Sequence, residues 1–173
     1  MRSSPWTALL FCTAALLVSC GGGGSTSNPS ARTNATCDSQ SMWAVPSSSS
    51  GSLIPDNAST GISATWDNQN CSLQTVASAS VDICLNHSQP ADLAWTITTP
   101  ATGNALTLSA PSNWNTSGTA CGDAQGKLQR IALPAAVQSI SSTRGLWTLH
   151  VSDQSAGNTG TLIQWRVIIE GYN

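Results

Sequence analysis

The chain has 173 residues, of which only 8% are charged, against about 25% in an average globular protein. Six Lys and Arg face eight Asp and Glu, which gives a formal net charge of −2. Binding to a phosphate backbone needs clustered Lys and Arg, so this composition excludes a nucleic-acid-binding protein and disfavours electrostatic attachment to anionic lipid.

The first 19 residues predict a signal for export. One positive side chain, Arg2, precedes an almost wholly apolar run over residues 7–18. The run is shorter than the roughly 20 residues that a helix needs to cross a bilayer, so it indicates a signal peptide and not a membrane span. We therefore predict that residues 1–19 are a lipoprotein-type signal peptide and that the protein is exported.

The end of the apolar run, Leu17-Val18-Ser19-Cys20, resembles the lipobox of bacterial lipoproteins. The resemblance implies that cleavage leaves Cys20 as the N-terminus and that its thiol carries lipid, which makes the bilayer a partner. Several acyl chains together anchor stably, each buried CH₂ contributing about 0.8 kcal/mol. Gly21 stands where inner-membrane lipoproteins tend to carry Asp, so the resemblance favours the outer membrane of a bacterial envelope. Ordinary cleavage near Ser19 is the alternative.

Two low-complexity segments follow the signal. Residues 20–36 are rich in Gly, Ser, Thr and Asn and show no periodicity, so they cannot offset their ordering entropy and predict a flexible tether. Residues 47–52 form a second such patch. We predict an irregular N-terminal arm over residues 37–52, held by Cys37 and Trp43.

The mature chain of about 150 residues matches one domain of ordinary size, able to bury about two thirds of its unfolded surface, and we assign that domain to residues 53–173. They contain no long amphipathic helix but many short segments in which apolar and polar residues alternate between turn formers. Alternation with a period of two is typical of half-buried β-strands. The fold class predicted from this pattern is all-β, an antiparallel β-sandwich.

The first clear strands lie in the middle of the chain. In residues 72–85, Val81, Ile83 and Leu85 share one face. Further strands are predicted at residues 94–98, 105–108 and 128–133, with a Pro- and Gly-bearing turn at residues 99–104. A long loop over residues 111–126, held by Cys121, and a helical turn or irregular crossing over residues 134–140 complete this region.

The most regular alternation lies near the C-terminal end. Residues 147–151 place Trp147 on an apolar side, and residues 163–169 do the same for Trp165, with a segment of turn-forming residues, 153–160, between them. We predict a hairpin whose apolar face carries both tryptophans at the centre of the core. Truncation of such a buried Trp to Ala typically costs about 3 to 5 kcal/mol.

The same segment carries a family resemblance. The runs GLWTLHVSD and GNTGTLIQWRV resemble the C-terminal signature of the P domain (P/Homo B domain) of proprotein convertases and bacterial subtilisin-like proteases. Two earlier stretches agree: IPDN followed by Gly61, and HSQPADLAWTITTPATG, in which Ala91 replaces the usual Gly. The matching motif positions are Asp56, Asp92, Leu93, Trp147, Asp153, Gly160 and Trp165. Over residues 53–171 the resemblance implies a jelly-roll-like β-sandwich.

Cysteine usage agrees with export. Four cysteines lie beyond the signal and the lipid site: Cys37, Cys71, Cys84 and Cys121. An even number in an oxidising compartment predicts two disulfides in one of three pairings, each worth about 3 to 4 kcal/mol on the chain-entropy model. A metal site is the alternative, but there is no C-x-x-C pair and no His at ligand spacing. The family resemblance implies Cys37 with Cys71, which leaves Cys84 with Cys121.

The sequence offers no catalytic constellation. G-x-S-x-G, H-E-x-x-H, a phosphate loop and a dinucleotide fingerprint are absent, as is the subtilisin nucleophile turn. His150 lies on the polar side of a predicted strand, where we expect an exposed or hydrogen-bonded ring, and His87 is expected to pack at a strand end. The resemblance places the protease triad in a separate domain, so we predict that the chain is not an enzyme.

Asp92 and Asp153 each lie at the edge of a predicted strand. Carboxylates there commonly accept backbone N–H bonds and fix loops, which is our first interpretation. The alternative is a Ca²⁺ site completed by Asn158 or a backbone carbonyl, since Ca²⁺ collects six to eight oxygens. No D-x-D-x-D loop supports it. We predict no cofactor, with Ca²⁺ as the one candidate.

Six tryptophans follow the signal peptide and divide into two groups. Trp95, Trp147 and Trp165 lie in strand patterns and are predicted to be buried. The other three, Trp43, Trp66 and Trp114, lie among turn formers. They either plug the ends of the sandwich or form an exposed aromatic surface for a sugar ring or a protein partner.

The sequence thus predicts a non-catalytic, exported P-domain lipoprotein. By resemblance, such a domain binds or stabilises a protein partner, and a protease is the natural candidate because P domains support subtilisin-like catalytic domains. It then serves as an accessory part of a serine endopeptidase system in which another chain performs proteolysis. A carbohydrate-binding module is the alternative, which rests on fold analogy.

Overall fold

The computed structural model describes residues 33–38, 51–101, 103–122 and 126–173. The signal peptide, Cys20, most of the predicted tether and Trp43 lie outside the described residues, so the predictions for them stay predictions. Within the described segments, ten strands, one short helix, α1 (Trp114–Ser117), and two 3₁₀ turns confirm the all-β prediction. None of the helices in these segments is long and apolar enough to cross a membrane.

The ten strands of the described segments form two antiparallel sheets. In the six-stranded sheet the hydrogen-bonded order is β1 (Asn34–Asp38), β10 (Gly160–Tyr172), β4 (Thr75–His87), β8 (Gly126–Ala132) and β7 (Thr119–Cys121), and β2 (Ser52–Ile54) also pairs with β10. In the four-stranded sheet the order is β3 (Ala58–Asn68), β9 (Gly145–Asp153), β5 (Leu93–Thr98) and β6 (Ala105–Leu108). From β3 onward the chain passes repeatedly from one sheet to the other, so that both sheets share a single core.

The core is built from the inward faces of both sheets. Trp147 on β9 and Trp165 on β10 are both fully buried, as predicted. The predicted hairpin is wrong, however, because β9 pairs with β3 and β5 while β10 pairs with β4. The segment after β9 carries the chain across to the other sheet, so the two tryptophans approach the core from opposite sides. Alternation fixes which side chains are buried, and it does not fix which strand is the neighbour.

The other predicted elements are confirmed. The strand predicted at residues 72–85 is β4, the pair at residues 94–98 and 105–108 is the hydrogen-bonded pair β5 and β6, and residues 128–133 overlap β8. Residues 134–140 contain a 3₁₀ turn, Ala135–Ser139. The long loop differs in containing α1 and the three-residue strand β7.

The N-terminal boundary of the domain differs from the prediction. Asn34–Asp38, assigned to the tether and arm, forms β1 in register with residues 168–172 of β10. Ladder hydrogen bonds join backbone groups, so a polar segment of low complexity can occupy a sheet edge while Ala35 and Cys37 pack against the core. The compact unit spans Arg32–Asn173, and the domain therefore begins with β1 and not at residue 53.

Both predicted disulfides are present. Cys37 on β1 is bonded to Cys71, which follows β3, and Cys84 on β4 is bonded to Cys121 at the end of β7. The first attaches the edge strand to the body of the domain. The second fixes the loop that contains α1 against the central strand of the six-stranded sheet.

Candidate functional site

Three aspartates hold the segment between β9 and β10, which we call the 153–160 turn. Asp153 is buried at the end of β9, where its Oδ1 accepts a bond from the backbone N–H of Ser155 at 3.0 Å. Its Oδ2 lies 3.2 Å from Nε2 of His87, at the end of β4. A buried carboxylate must be paired and hydrogen-bonded, and Ser155 and His87 together meet that requirement for Asp153.

The His87 ring has no nitrogen left for catalysis. Its Nδ1 accepts a hydrogen bond from the backbone N–H of Gln89 at 3.1 Å. The proton therefore lies on Nε2, which donates to Asp153. A Cβ on Gly160 would collide with this ring, which explains the glycine at that motif position. His87 packs at a strand end, as the sequence indicated.

Asp92 and Asp56 hold the tip of the same turn. Asp92 accepts a bond from Nδ2 of Asn158 at 3.3 Å, and its carbonyl accepts from the backbone N–H of Gln154 at 2.9 Å. Both carboxylate oxygens of Asp56 lie 3.1 Å from the backbone N–H of Gly157. The aspartates of the three motifs thus fix one turn from three separate parts of the chain.

The observed contacts of Asp92 and Asp153 agree with the interpretation as loop-fixing hydrogen bonds. In the described part of the chain, no group of three or more His, Cys, Asp or Glu side chains is placed to hold a metal ion. The calcium site that we considered with Asn158 stays a prediction. Its Asn158 amide is already bonded to Asp92 and to the Ser88 hydroxyl, the latter at 2.8 Å.

The other motif residues belong to the core. Leu93 is buried at the start of β5, and Trp147 donates its indole N–H to the carbonyl of Thr143 at 3.1 Å. The third tryptophan of the predicted core group, Trp95, is also buried. These side chains are buried in the core, where they hold the strands in position.

Of the two alternatives considered for Trp66 and Trp114, the structure shows burial in the sandwich and contradicts the exposed aromatic surface. Trp66 is only 6% exposed and Trp114 only 1%. Trp66 lies on the inward phase of β3, directly opposite Trp147, and the turn-forming residues around it obscured that strand in the sequence. Helix α1 directs Trp114 inward to stack on Trp95, with ring centroids 5.6 Å apart. Both therefore plug the sandwich, and Trp43 lies outside the described residues.

The outer face of the six-stranded sheet, which we call the charged face, carries an ion-pair ladder across three strands. Asp82 on β4 lies 2.7 Å from Arg130 on β8 and 2.7 Å from Arg166 on β10. Burial by itself raises the pKa of Asp82, but the hydrogen bonds and charges of the two arginines outweigh it. The pKa of Asp82 therefore lies below its ordinary value of 3.8.

On the outer face of the four-stranded sheet, which we call the neutral face, most side chains are short and uncharged, and the exposed pair Asp67 and Leu146 lies at its margin. Two rows run across its four strands: Ser63, His150, Thr96 and Thr107, and then Thr65, Thr148, Thr98 and Ala105. His150 is the one ionisable side chain in these two rows, and its Nδ1 lies 3.2 Å from Oγ of Ser63. Sequence reasoning missed this face, although the same alternation that marked the core places threonines at the outward positions.

Comparison with known proteins agrees with this architecture. The sequence profile of the family "Proprotein convertase P-domain" matches residues 76–169, more than half of the chain. The chain belongs to the P-domain family. The P domain is an accessory, non-catalytic domain associated with serine proteases. Comparison with curated proteins returned no match.

Solved structures share the fold of this P domain. The serine protease of Aeromonas sobria in complex with its chaperone (ORF2) aligns with a TM-score of 0.58 and 18% identity, over 82% of this chain and 27% of that chain. The same organism's serine protease in a second structure aligns with a TM-score of 0.53 and 17% identity, over 81% and 27% of the two chains. This chain therefore corresponds to about a quarter of either protease.

Proposed function

We propose that this P domain is an exported lipoprotein that binds and stabilises a protein partner at the bacterial envelope, the partner being a subtilisin-like serine protease. The observation that carries the proposal is the P-domain fold itself, which accounts for 82% of the chain and corresponds to 27% of the Aeromonas protease. A P domain accompanies a catalytic domain within that protease. A separate P domain can therefore support a catalytic domain that belongs to another chain.

The neutral face is the docking surface that we propose. Interface cores are depleted in charged residues, and the two rows through His150 and Thr148 carry no Lys, Arg, Asp or Glu. Short Ser, Thr and Ala side chains also lose little rotamer entropy when a partner covers them. The charged face is a poorer candidate, because its central carboxylate is already paired with two arginines.

The anchor that we propose is lipidated Cys20. Thirteen residues separate it from Asn34, where β1 begins. A Gly- and Ser-rich segment of that length has a root-mean-square span of about 20 Å and reaches at most about 45 Å. The domain and a protein bound to it would therefore stay near the membrane surface. Incorporation of labelled palmitate into the wild type, but not into Cys20→Ala, tests this step alone.

Docking is tested by affinity capture from an envelope extract. The full chain is compared with Thr96→Arg/Thr148→Arg, which places two charges on the neutral face, and with Ala132→Arg, which places one charge on the charged face. We expect the wild type and Ala132→Arg to retain a protein with a subtilisin-like catalytic domain, and the double variant to lose it. Retention of the same proteins by all three, or of polysaccharide without protein, would overturn the proposal.

A further inference from the structure

A surface notch lies at the opposite end of the domain from the 153–160 turn. It occupies the outer face of the six-stranded sheet where β1, β10 and β4 meet, and its volume is about 400 Å³. Small-molecule sites span about 300 to 1,000 Å³, so the notch is large enough for one small ring. Its principal lining residues are Asn34, Thr36, Ala77, Glu170 and Tyr172.

The strand register creates this notch. Asn34 is paired with Tyr172 and Thr36 with Glu170, so the four side chains project from the same face as two adjacent rows. On the other side of β10, Glu170 is paired with Ser78 but Gly171 with Val76, which leaves Ala77 as an extra residue in β4. Such a β-bulge bends its strand locally, and bulges are over-represented at sheet edges and next to active sites. The bulge thus forms the floor of the concavity.

One aromatic ring borders the notch. The five tryptophans in the described segments are all buried, and Tyr172 is the one aromatic side chain there that keeps partial exposure. An aromatic ring at a surface offers an apolar face together with a polar hydroxyl. The C–H face of a pyranose ring is complementary to such a platform, whereas its rim requires hydrogen-bond partners.

Polar groups of the right kind surround that ring. One carboxylate oxygen of Glu170 accepts a bond from the Ser78 hydroxyl at 2.7 Å, which orients the group and leaves its second oxygen for a ligand. The Asn34 amide offers a donor and an acceptor, and the Thr36 hydroxyl offers both as well. A carboxylate, an amide and a hydroxyl beside an aromatic face can bind vicinal hydroxyl groups. The carboxylate also disfavours an anionic ligand.

We infer that the notch is a saccharide subsite that takes one neutral hexopyranose ring of a polysaccharide, stacked on Tyr172 with its hydroxyls bound by Glu170 and Asn34. This inference is independent of the protease-docking proposal, because it uses a different face and a different end of the domain. The exposed aromatic ring in this inference is Tyr172, whereas the sequence had suggested Trp66 and Trp114 as an alternative.

The test is an NMR titration of the ¹⁵N-labelled full chain, in detergent, with cellohexaose and chitohexaose as neutral probes and hexagalacturonate as the anionic control. A single open subsite should give dissociation constants on the order of 1 mM. We expect shifts confined to residues 34–36, 77–78 and 170–173 with one or both neutral probes. If neither neutral probe shifts these residues, or if hexagalacturonate alone does so, the inference is wrong.

Variants then assign the contacts. Tyr172→Ala should weaken binding by about tenfold, whereas Tyr172→Phe, which keeps the ring, should stay within about twofold. Glu170→Gln should weaken it by about threefold to tenfold, because a charged acceptor binds hydroxyls more strongly than an amide. Thr107→Ala on the neutral face is the control and should change nothing. Unchanged affinity in both Tyr172→Ala and Glu170→Gln would contradict the inference, and the wild-type titration decides it even if a variant does not fold.

Discussion

The two outer faces of the sandwich differ, although both arise from the same strand alternation. On the charged face, outward-pointing Asp82 and Cys84 are as buried as core residues, because two arginines and a disulfide cover them. On the neutral face the two rows through His150 and Thr148 carry no Lys, Arg, Asp or Glu, and their side chains are only partly covered. The charged face thus stabilises its own sheet, whereas the neutral face is the one that we propose for docking. The first three predictions below test this division, and the fourth concerns the 153–160 turn.

Removal of the disulfide on the charged face should have the largest effect. Cys84→Ala/Cys121→Ala frees the loop that contains α1 and should lower the free energy of unfolding by about 3 to 4 kcal/mol. Urea unfolding measures it, with Thr96→Ala/Thr148→Ala on the neutral face as the control, which should stay within about 0.5 kcal/mol per site. Equal losses in the two double variants would contradict the division.

Loss of the central carboxylate should come next. Asp82→Ala leaves two arginines without their shared partner and should cost about 2 to 3 kcal/mol, below the range for fully buried pairs because one arginine is exposed. Arg166, with its side chain 14% exposed, should contribute more than Arg130, at 59%. Chemical denaturation of Arg166→Met and Arg130→Met tests that order. A larger loss of stability in Arg130→Met than in Arg166→Met would contradict it.

The ion pairs of Asp82 with Arg130 and Arg166 also predict that the free energy of unfolding depends on pH. Because the pKa of Asp82 is lower in the folded state than its ordinary value of 3.8, its stabilisation is fully present above about pH 4. It is lost as the pH falls through the folded-state pKa. The free energy of unfolding should therefore decrease below about pH 4 more steeply in the wild type than in Asp82→Asn. Parallel pH profiles of the two proteins would show that the ladder contributes nothing.

The smallest effect is expected at the 153–160 turn. Its aspartates already accept hydrogen bonds from Ser155, Asn158 and Gly157, so chelation of calcium by EDTA should leave the melting temperature unchanged. Differential scanning calorimetry with added Ca²⁺ and with EDTA measures this. A calcium-dependent rise in the melting temperature that disappears in Asp92→Ala would instead establish the calcium site.

Much of the core could be predicted from sequence because burial follows alternation. The inward positions of Trp147 and Trp165 were evident from a period of two, and the disulfide partners followed from the resemblance to P domains. The neighbours of those strands were not evident, since a short turn can close a hairpin or cross to a second sheet. Residues 153–160 cross to the second sheet.

Two other features could not be predicted, for different physical reasons. Strand β1 is held by backbone hydrogen bonds and a disulfide, and neither depends on an apolar pattern in residues 34–38. Trp66 and Trp114 lie among turn-forming residues, and only the tertiary fold shows that their rings face inward. Composition around a residue predicts its local backbone, but burial of its side chain depends on what packs above it.

The central claim is that this P domain binds a protein through the neutral face. Photo-crosslinking in intact envelopes tests it most directly, with a benzophenone amino acid placed at Thr96 on the neutral face or at Ala132 on the charged face. The account predicts crosslinks from position 96, and not from position 132, to a protein with a subtilisin-like catalytic domain. Crosslinks from position 132 alone, or from neither position, would contradict it.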